Sequence, residues 1–147
     1  MQKSPEENRR ANFAMPSVKF LFIDDSLSVH KYIGLLIKIK KLPIIPTFES
    51  CPQKALDRLA NLPINEFPDV IVTDIEMPVM NGFEFIESYK KLFSGNRSKT
   101  LLFVSSSLIE TEILRQLKRD SQIMGIIPKP FSVKSIQRQI LPFLKAA

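Results

Sequence analysis

The chain alternates between short continuous apolar runs and longer stretches in which apolar residues recur every three or four positions. The continuous runs are Val18 to Ile23, Asp69 to Asp74, Thr100 to Ser105 and Gly125 to Pro128. Their length and unbroken apolar character predict strands buried on both faces. Pro43-Ile44-Ile45-Pro46-Thr47-Phe48 is also strand-like, but its two prolines remove ladder donors and predict the edge of the sheet.

Between these runs lie five helical stripes. Val29, Tyr32, Ile33, Leu36 and Ile37 form the first, opened by Asp25-Ser26 as a cap and closed near Lys40-Lys41. Ala55, Leu56, Leu59 and Ala60 form the second, behind Ser50-Cys51-Pro52 with proline in the first turn. Phe85, Ile86, Tyr89 and Leu92 form the third, which Gly95-Asn96-Arg97-Ser98 breaks. Leu108 to Arg119 carries Ile109, Ile113, Leu114 and Leu117 inward, and the last helix buries Val133, Ile136, Ile140 and Leu144. Pro142 removes a helical hydrogen bond and crowds the preceding turn, which predicts a kink or an early end near Leu141.

Strand and helix alternating in this way predict an α/β fold, a five-stranded parallel sheet with helices on both faces. Right-handed crossovers and an edge second strand give the strand order 2-1-3-4-5. The length of 147 residues suits about one domain. We expect that domain over residues 18–147, behind a flexible tail over residues 1–17 with mixed charges and no periodicity. The sequence stops a few residues after the last helix, so no fused output domain is expected.

Open parallel sheets hold their ligands at the carboxyl ends of the strands, where the strand order reverses, here between the first and third. Asp24 and Asp25 follow the first apolar run, Asp74 ends the third, and Lys129 follows the fifth. Three convergent carboxylates repel one another and raise one another's pKa, which a divalent cation relieves. Magnesium suits such a site because it takes oxygen ligands, keeps several waters and bridges to phosphate. In the loop Ile75 to Gly82, Asn81-Gly82 predicts a turn at positive φ.

Over roughly Val18 to Phe143 the sequence resembles the receiver domain of two-component response regulators, most simply the stand-alone chemotaxis type. The resemblance is carried by Ile23-Asp24-Asp25-Ser26, by Thr73-Asp74-Ile75-Glu76-Met77-Pro78-Val79-Met80-Asn81-Gly82, by Phe103-Val104-Ser105-Ser106 and by Lys129-Pro130-Phe131. It implies the flavodoxin-like receiver fold and a phosphoacceptor role for Asp74, which would attack a histidine kinase's phosphohistidine and form an acyl phosphate. Magnesium would be held by Asp24 or Asp25, by Asp74 and by the backbone carbonyl of Glu76. Lys129 and Ser105 would each bind a phosphoryl oxygen. The Lys129-Pro130 bond is expected to be cis. The implied partners are a sensor histidine kinase or phosphotransfer protein, and a downstream protein met through helix 4, strand 5 and helix 5. The chain is then a signalling domain, with slow self-dephosphorylation at most, rather than a turnover enzyme.

Two positions depart from the family pattern. Ile126 stands where receivers usually carry Tyr or Phe, so an aromatic rotation is not available to report phosphorylation. Glu76, two residues after the acceptor, brings a further negative charge near the phosphoryl group. A pseudo-receiver, keeping the fold as a phosphorylation-independent interaction module, is the alternative. A phosphatase of the haloacid-dehalogenase type also places an Asp nucleophile after a strand, but it wants a second Asp and a Thr where this chain has Glu76 and Pro78.

The net charge of +6 comes from scattered basic residues without interleaved aromatics, so no nucleic-acid partner is expected. After Asp120 the chain has Lys129, Lys134, Arg138 and Lys145 and no acid, a basic face suited to an acidic partner. The single cysteine, Cys51, excludes an intrachain disulfide and suits a reducing compartment. No segment reads as a secretory signal or a membrane span, and a cytoplasmic location without membrane insertion is expected. The one histidine, His30, is expected at the surface of the first helix.

Overall fold

The computed structural model describes residues 17–93, 99–108 and 110–145. Strands β1 (Val18–Ile23), β2 (Ile44–Glu49), β3 (Val70–Asp74), β4 (Leu101–Ser106) and β5 (Ile123–Pro128) form one parallel sheet in the order β2-β1-β3-β4-β5. The helices are α1 (Leu27–Ile39), α2 (Pro52–Ala60), α3 (Gly82–Leu92), α4 (Thr111–Arg119), α5 (Val133–Ser135) and α6 (Leu141–Lys145), the last two joined by a π-helical turn over Ile136–Ile140. A 3-10 turn, Ile64–Glu66, precedes β3.

Successive strand residues face opposite sides, and the sheet therefore divides the interior into two cores. Leu21, Ile23, Ile71, Leu102 and Val104 meet α2 and α3 through Leu56, Leu59, Phe85 and Ile86 on one side. Phe20, Phe22, Val70, Val72 and Phe103 meet α1 and the C-terminal helix through Ile33, Ile37, Ile136 and Ile140 on the other. The two prolines of the second run do fall at an edge, since among the described residues β2 pairs with β1 alone.

Several faces differ from expectation. Tyr32, Ala60, Leu92 and Leu114 are exposed, and Phe93, just past α3, is buried where Leu92 was expected. Stripe spacing alone misjudged these boundary positions because burial there depends on which neighbour reaches over the helix edge. Among the described residues α4 buries nothing fully and rests on half-buried Ile113 and Leu117. Ile109 and the segment Gly95 to Ser98 lie outside the described residues, as does the tail before Ser17.

Pro142 does not end the helix; it stands in the first turn of α6, and the turn before it is π-helical. The Leu141 N–H bonds to the Ile136 carbonyl, five residues back, and helix continues as α6 to Lys145. The wider turn makes room for a ring that would otherwise crowd the carbonyl four residues earlier.

Candidate functional site

β1 and β3 are neighbours, so the residues leaving their carboxyl ends meet. Asp24 and Asp74 are each 5% exposed, whereas Asp25 stands in solvent. One carboxylate oxygen from each of the three lies within 4.8 Å of the others, a spacing that fits a single cation with hard oxygen ligands. Lys129 Nζ lies 2.7 Å from Asp24 Oδ2 and 3.2 Å from Asp74 Oδ1, tying β5 to both acids. Ser105 pairs with Asp74 in the β3–β4 register and is buried beside it. Asp24, Asp74, Ser105 and Lys129 share the wall of a cavity of about 380 Å³ whose floor includes Phe22 and Phe131.

Local backbone bonds fix each acid. The Asp24 N–H donates to the Glu49 carbonyl at 3.0 Å, and Asp24 Oδ1 accepts from the Ser26 N–H at 2.9 Å. Ser26 in turn caps α1 by accepting from the Val29 N–H. Asp74 Oδ1 accepts from the Glu76 N–H at 3.3 Å, which leaves the exposed Glu76 side chain outside the cluster. The loop beyond is closed by a capping box, Asn81 accepting from the Glu84 N–H and Glu84 from the Asn81 N–H. The Lys129-Pro130 peptide is cis.

The positive φ expected at Asn81-Gly82 lies elsewhere. Asn81 has φ −79 as the N-cap of α3, and the left-handed residue of the loop is Val79, at φ 71. Gly82 is needed for a different reason: its Cβ position is occupied by the backbone carbonyl oxygen of Asp74. A glycine there lets the first turn of α3 lie against the end of β3, and its N–H donates to the Ile75 carbonyl at 3.0 Å.

Burial, the largest influence, pushes the Asp74 carboxyl above its ordinary value of 3.8; the Asp24 charge adds to this, and Lys129 and the Glu76 N–H oppose it without reversing it. Burial alone would lower the Lys129 ammonium, but its hydrogen bond to Asp24 and the charges of Asp24 and Asp74 outweigh this, and its pKa rises. The site thus holds more negative charge than one lysine compensates. A group of this kind accommodates a divalent cation and, once that is bound, an incoming anion.

His30 is not the surface residue expected. It is half-buried, its Nε2 lies 2.7 Å from the Asp24 carbonyl oxygen, and its ring stacks on Phe48 at 5.2 Å. Phe48 stacks on Phe22, whose ring meets the edge of Phe131. Helical side chains tilt toward the N-terminus, so a first-turn histidine after an acid pair points back at the strand end; that was the available signal.

Comparison with known proteins agrees with this geometry. The response regulator receiver domain matches residues 20–141, and the chain belongs to that family. Its parallel sheet is the flavodoxin-like receiver fold. A response regulator receiver protein from Dyadobacter fermentans is 27% identical, with a TM-score of 0.72 over 86% of this chain and 97% of that one. A two component response regulator from Cytophaga hutchinsonii shares the fold at 20% identity and a TM-score of 0.80, over 89% of this chain and 99% of that one. Among curated proteins, a protein-glutamate methylesterase/protein-glutamine glutaminase of a group 3 operon from Rhodopseudomonas palustris is 33% identical over 80% of this chain and 30% of its own length. The chain spans about a third of the length of the curated relatives it matches, with shares of 32%, 30% and 37% for three of them.

Proposed function

We propose that residues 18–147 form a response-regulator receiver domain that accepts a phosphoryl group on Asp74 and signals through a protein partner. The observation that carries this reading is the buried Asp74 carboxylate beside Asp24, with Lys129 bonded to both. The phosphodonor is the phosphohistidine of a sensor kinase or phosphotransfer protein. Asp74 Oδ1 already accepts from Lys129 and Glu76, which leaves Oδ2 to attack phosphorus. The new P–O bond gives an acyl phosphate; the P–N bond breaks and its electron pair returns to the imidazole.

Asp24, Asp25 and Asp74 fit magnesium, with the backbone carbonyl of Glu76 as a further ligand. When bound, the ion supplies charge neutralisation for the phosphoryl oxygens. Lys129 is placed to exchange part of its contact with Asp74 for a phosphoryl oxygen, and Ser105 to donate a hydrogen bond to another.

Output runs through α4, β5 and the helix after it, where Leu108 and Leu114 are exposed and α4 is lightly anchored. Cytoplasmic residence follows from the proposed kinase partner; among the described residues no helix is long and apolar enough to cross a membrane. The stretch shared with the methylesterases is comparable in length to the receiver match, so that likeness supports the receiver role alone.

The test is incubation with acetyl phosphate or a phosphorylated histidine kinase, with magnesium or with EDTA. Acid-labile phosphate is expected only with magnesium, and none on Asp74→Asn. Undiminished label on that variant would move the acceptor elsewhere; no label on the wild type from any donor, with partner binding intact, would establish the pseudo-receiver.

A further inference from the structure

Asp24 and Asp25 are adjacent on a chain that has just left a strand. In continued extended backbone their side chains would point to opposite faces of the sheet. Both nevertheless offer an oxygen within 4.8 Å of Asp74. The peptide between them must therefore be turned and held, and its atoms identify the holder. The carbonyl of that peptide is the Asp24 oxygen that His30 Nε2 meets at 2.7 Å.

We infer that His30 is a positioning residue for the acid cluster: its Nε2–H pins the Asp24–Asp25 peptide so that both carboxylates face Asp74. This rests on reading the cluster as a magnesium site. A carbonyl oxygen only accepts, so the bond requires the proton on Nε2.

The remaining contacts of Asp24 engage its other polar atoms and leave its carbonyl oxygen to His30. Its N–H is held by Glu49, its Oδ1 by the Ser26 N–H and its Oδ2 by Lys129. The Ser26 bond closes a turn across the Asp24–Asp25 peptide, and the His30 contact holds the carbonyl oxygen of that same peptide, from which exposed Asp25 departs. The imidazole is itself held in place by stacking on Phe48 at 5.2 Å and an interplanar angle of 26°. Phe48 continues through Phe22 to Phe131, two residues beyond Lys129. One aromatic row thus braces the histidine that orients the acids and the loop that carries their lysine. A partner that orients ligands without binding the ion is the kind whose loss weakens metal affinity by about 10- to 100-fold.

Two variants separate the donor from the ring. His30→Phe keeps an aromatic on Phe48 and removes the donor; His30→Gln restores an N–H at similar reach without the ring. Magnesium binding to the unphosphorylated protein is measured by calorimetry, alongside thermal melting in EDTA. We expect His30→Phe to melt within a few degrees of wild type while its magnesium dissociation constant rises about tenfold, and His30→Gln to recover most of that loss. A dissociation constant for His30→Phe within twofold of wild type overturns the inference, and with His30→Gln weakened it would make the ring and not the donor responsible; equal loss in both variants overturns it too, because the restored donor would have recovered nothing. Should His30→Phe fail to fold, the wild-type imidazole Nε2–H proton decides by NMR in EDTA: slow exchange with solvent supports the bond and fast exchange rejects it. These readouts need no phosphorylation, so a wild type that binds magnesium but takes no phosphate would fail the proposed function while leaving the role of His30 decided. A wild type that binds no magnesium would overturn both.

Discussion

Replacing Gly82 by alanine tests how the acceptor strand is joined to the helix beside it. An added Cβ would overlap the Asp74 carbonyl oxygen and stand 3.0 Å from Ile75 Cα and 3.1 Å from the Asp74 carbonyl carbon. All three are backbone atoms, so no side chain can rotate away, and either β3 or the first turn of α3 must move. Moving α3 stretches the bond from the Gly82 N–H to the Ile75 carbonyl and disturbs Phe85 and Ile86, which are buried on the same helix. Overpacking of this kind costs about 1–3 kcal/mol and the strained hydrogen bond about 1 kcal/mol, against up to about 1 kcal/mol gained from alanine's helix propensity. The net is a loss of about 1–3 kcal/mol, read as a lower midpoint in urea unfolding followed by circular dichroism. The same substitution at Gly34 provides the opposite sign. There the nearest atom to an added Cβ is Phe48 Cζ at 3.9 Å, an ordinary contact in the middle of α1. Gly34→Ala is therefore expected to stabilise by about 0.5–1 kcal/mol. Gly82→Ala should also slow phosphate uptake, because the displaced carbonyl belongs to the acceptor residue. Wild-type stability and labelling in Gly82→Ala would refute the reasoning.

Three further outcomes follow from the site. Val79, at φ 71 and fully exposed, is a β-branched residue in the left-handed region, so Val79→Gly is expected to raise stability by about 1 kcal/mol in a denaturant titration and Val79→Ile to give nothing. Asp74 has a folded pKa raised above 3.8, so its stability contribution is full below the unfolded pKa and is lost as pH rises through the folded value; in EDTA, the melting temperature of Asp74→Asn relative to wild type should climb from about pH 4 upward, and a flat difference would contradict the burial penalty. Ile126 is half-buried and packs, like Ile113 and Leu117, against the core on the α2–α3 side of the sheet, so Ile126→Ala should cost about 1–2 kcal/mol, below the range for a fully buried isoleucine, and phosphorylation should shift the amide signals of Ser105 to Leu108 more than that of Ile126.

The sequence alone determined the sheet, its order and the acids at its edge. These depend on short-range facts: apolar runs of strand length, prolines that only an edge tolerates, and carboxylates and a lysine placed directly after strands. Asp24, Asp25, Asp74 and Lys129 could be placed together because strand order leaves them little freedom, and Ser105 joined them through the family resemblance. The tertiary structure decided what depends on distances between segments remote in sequence. Gly82 reads as a turn residue in the chain, and only the approach of α3 to β3 makes it a steric requirement, which shifts the left-handed conformation to Val79. Pro142 reads as a stop, and the π turn before it depends on the helix having Ile136 and Ile140 buried against the sheet, which favours widening the turn over ending the helix. His30 reads as a surface residue because helical periodicity describes the sides of α1 and not its end; the Asp24 carbonyl and the face of Phe48 become its neighbours only once β1, β2 and α1 are packed together.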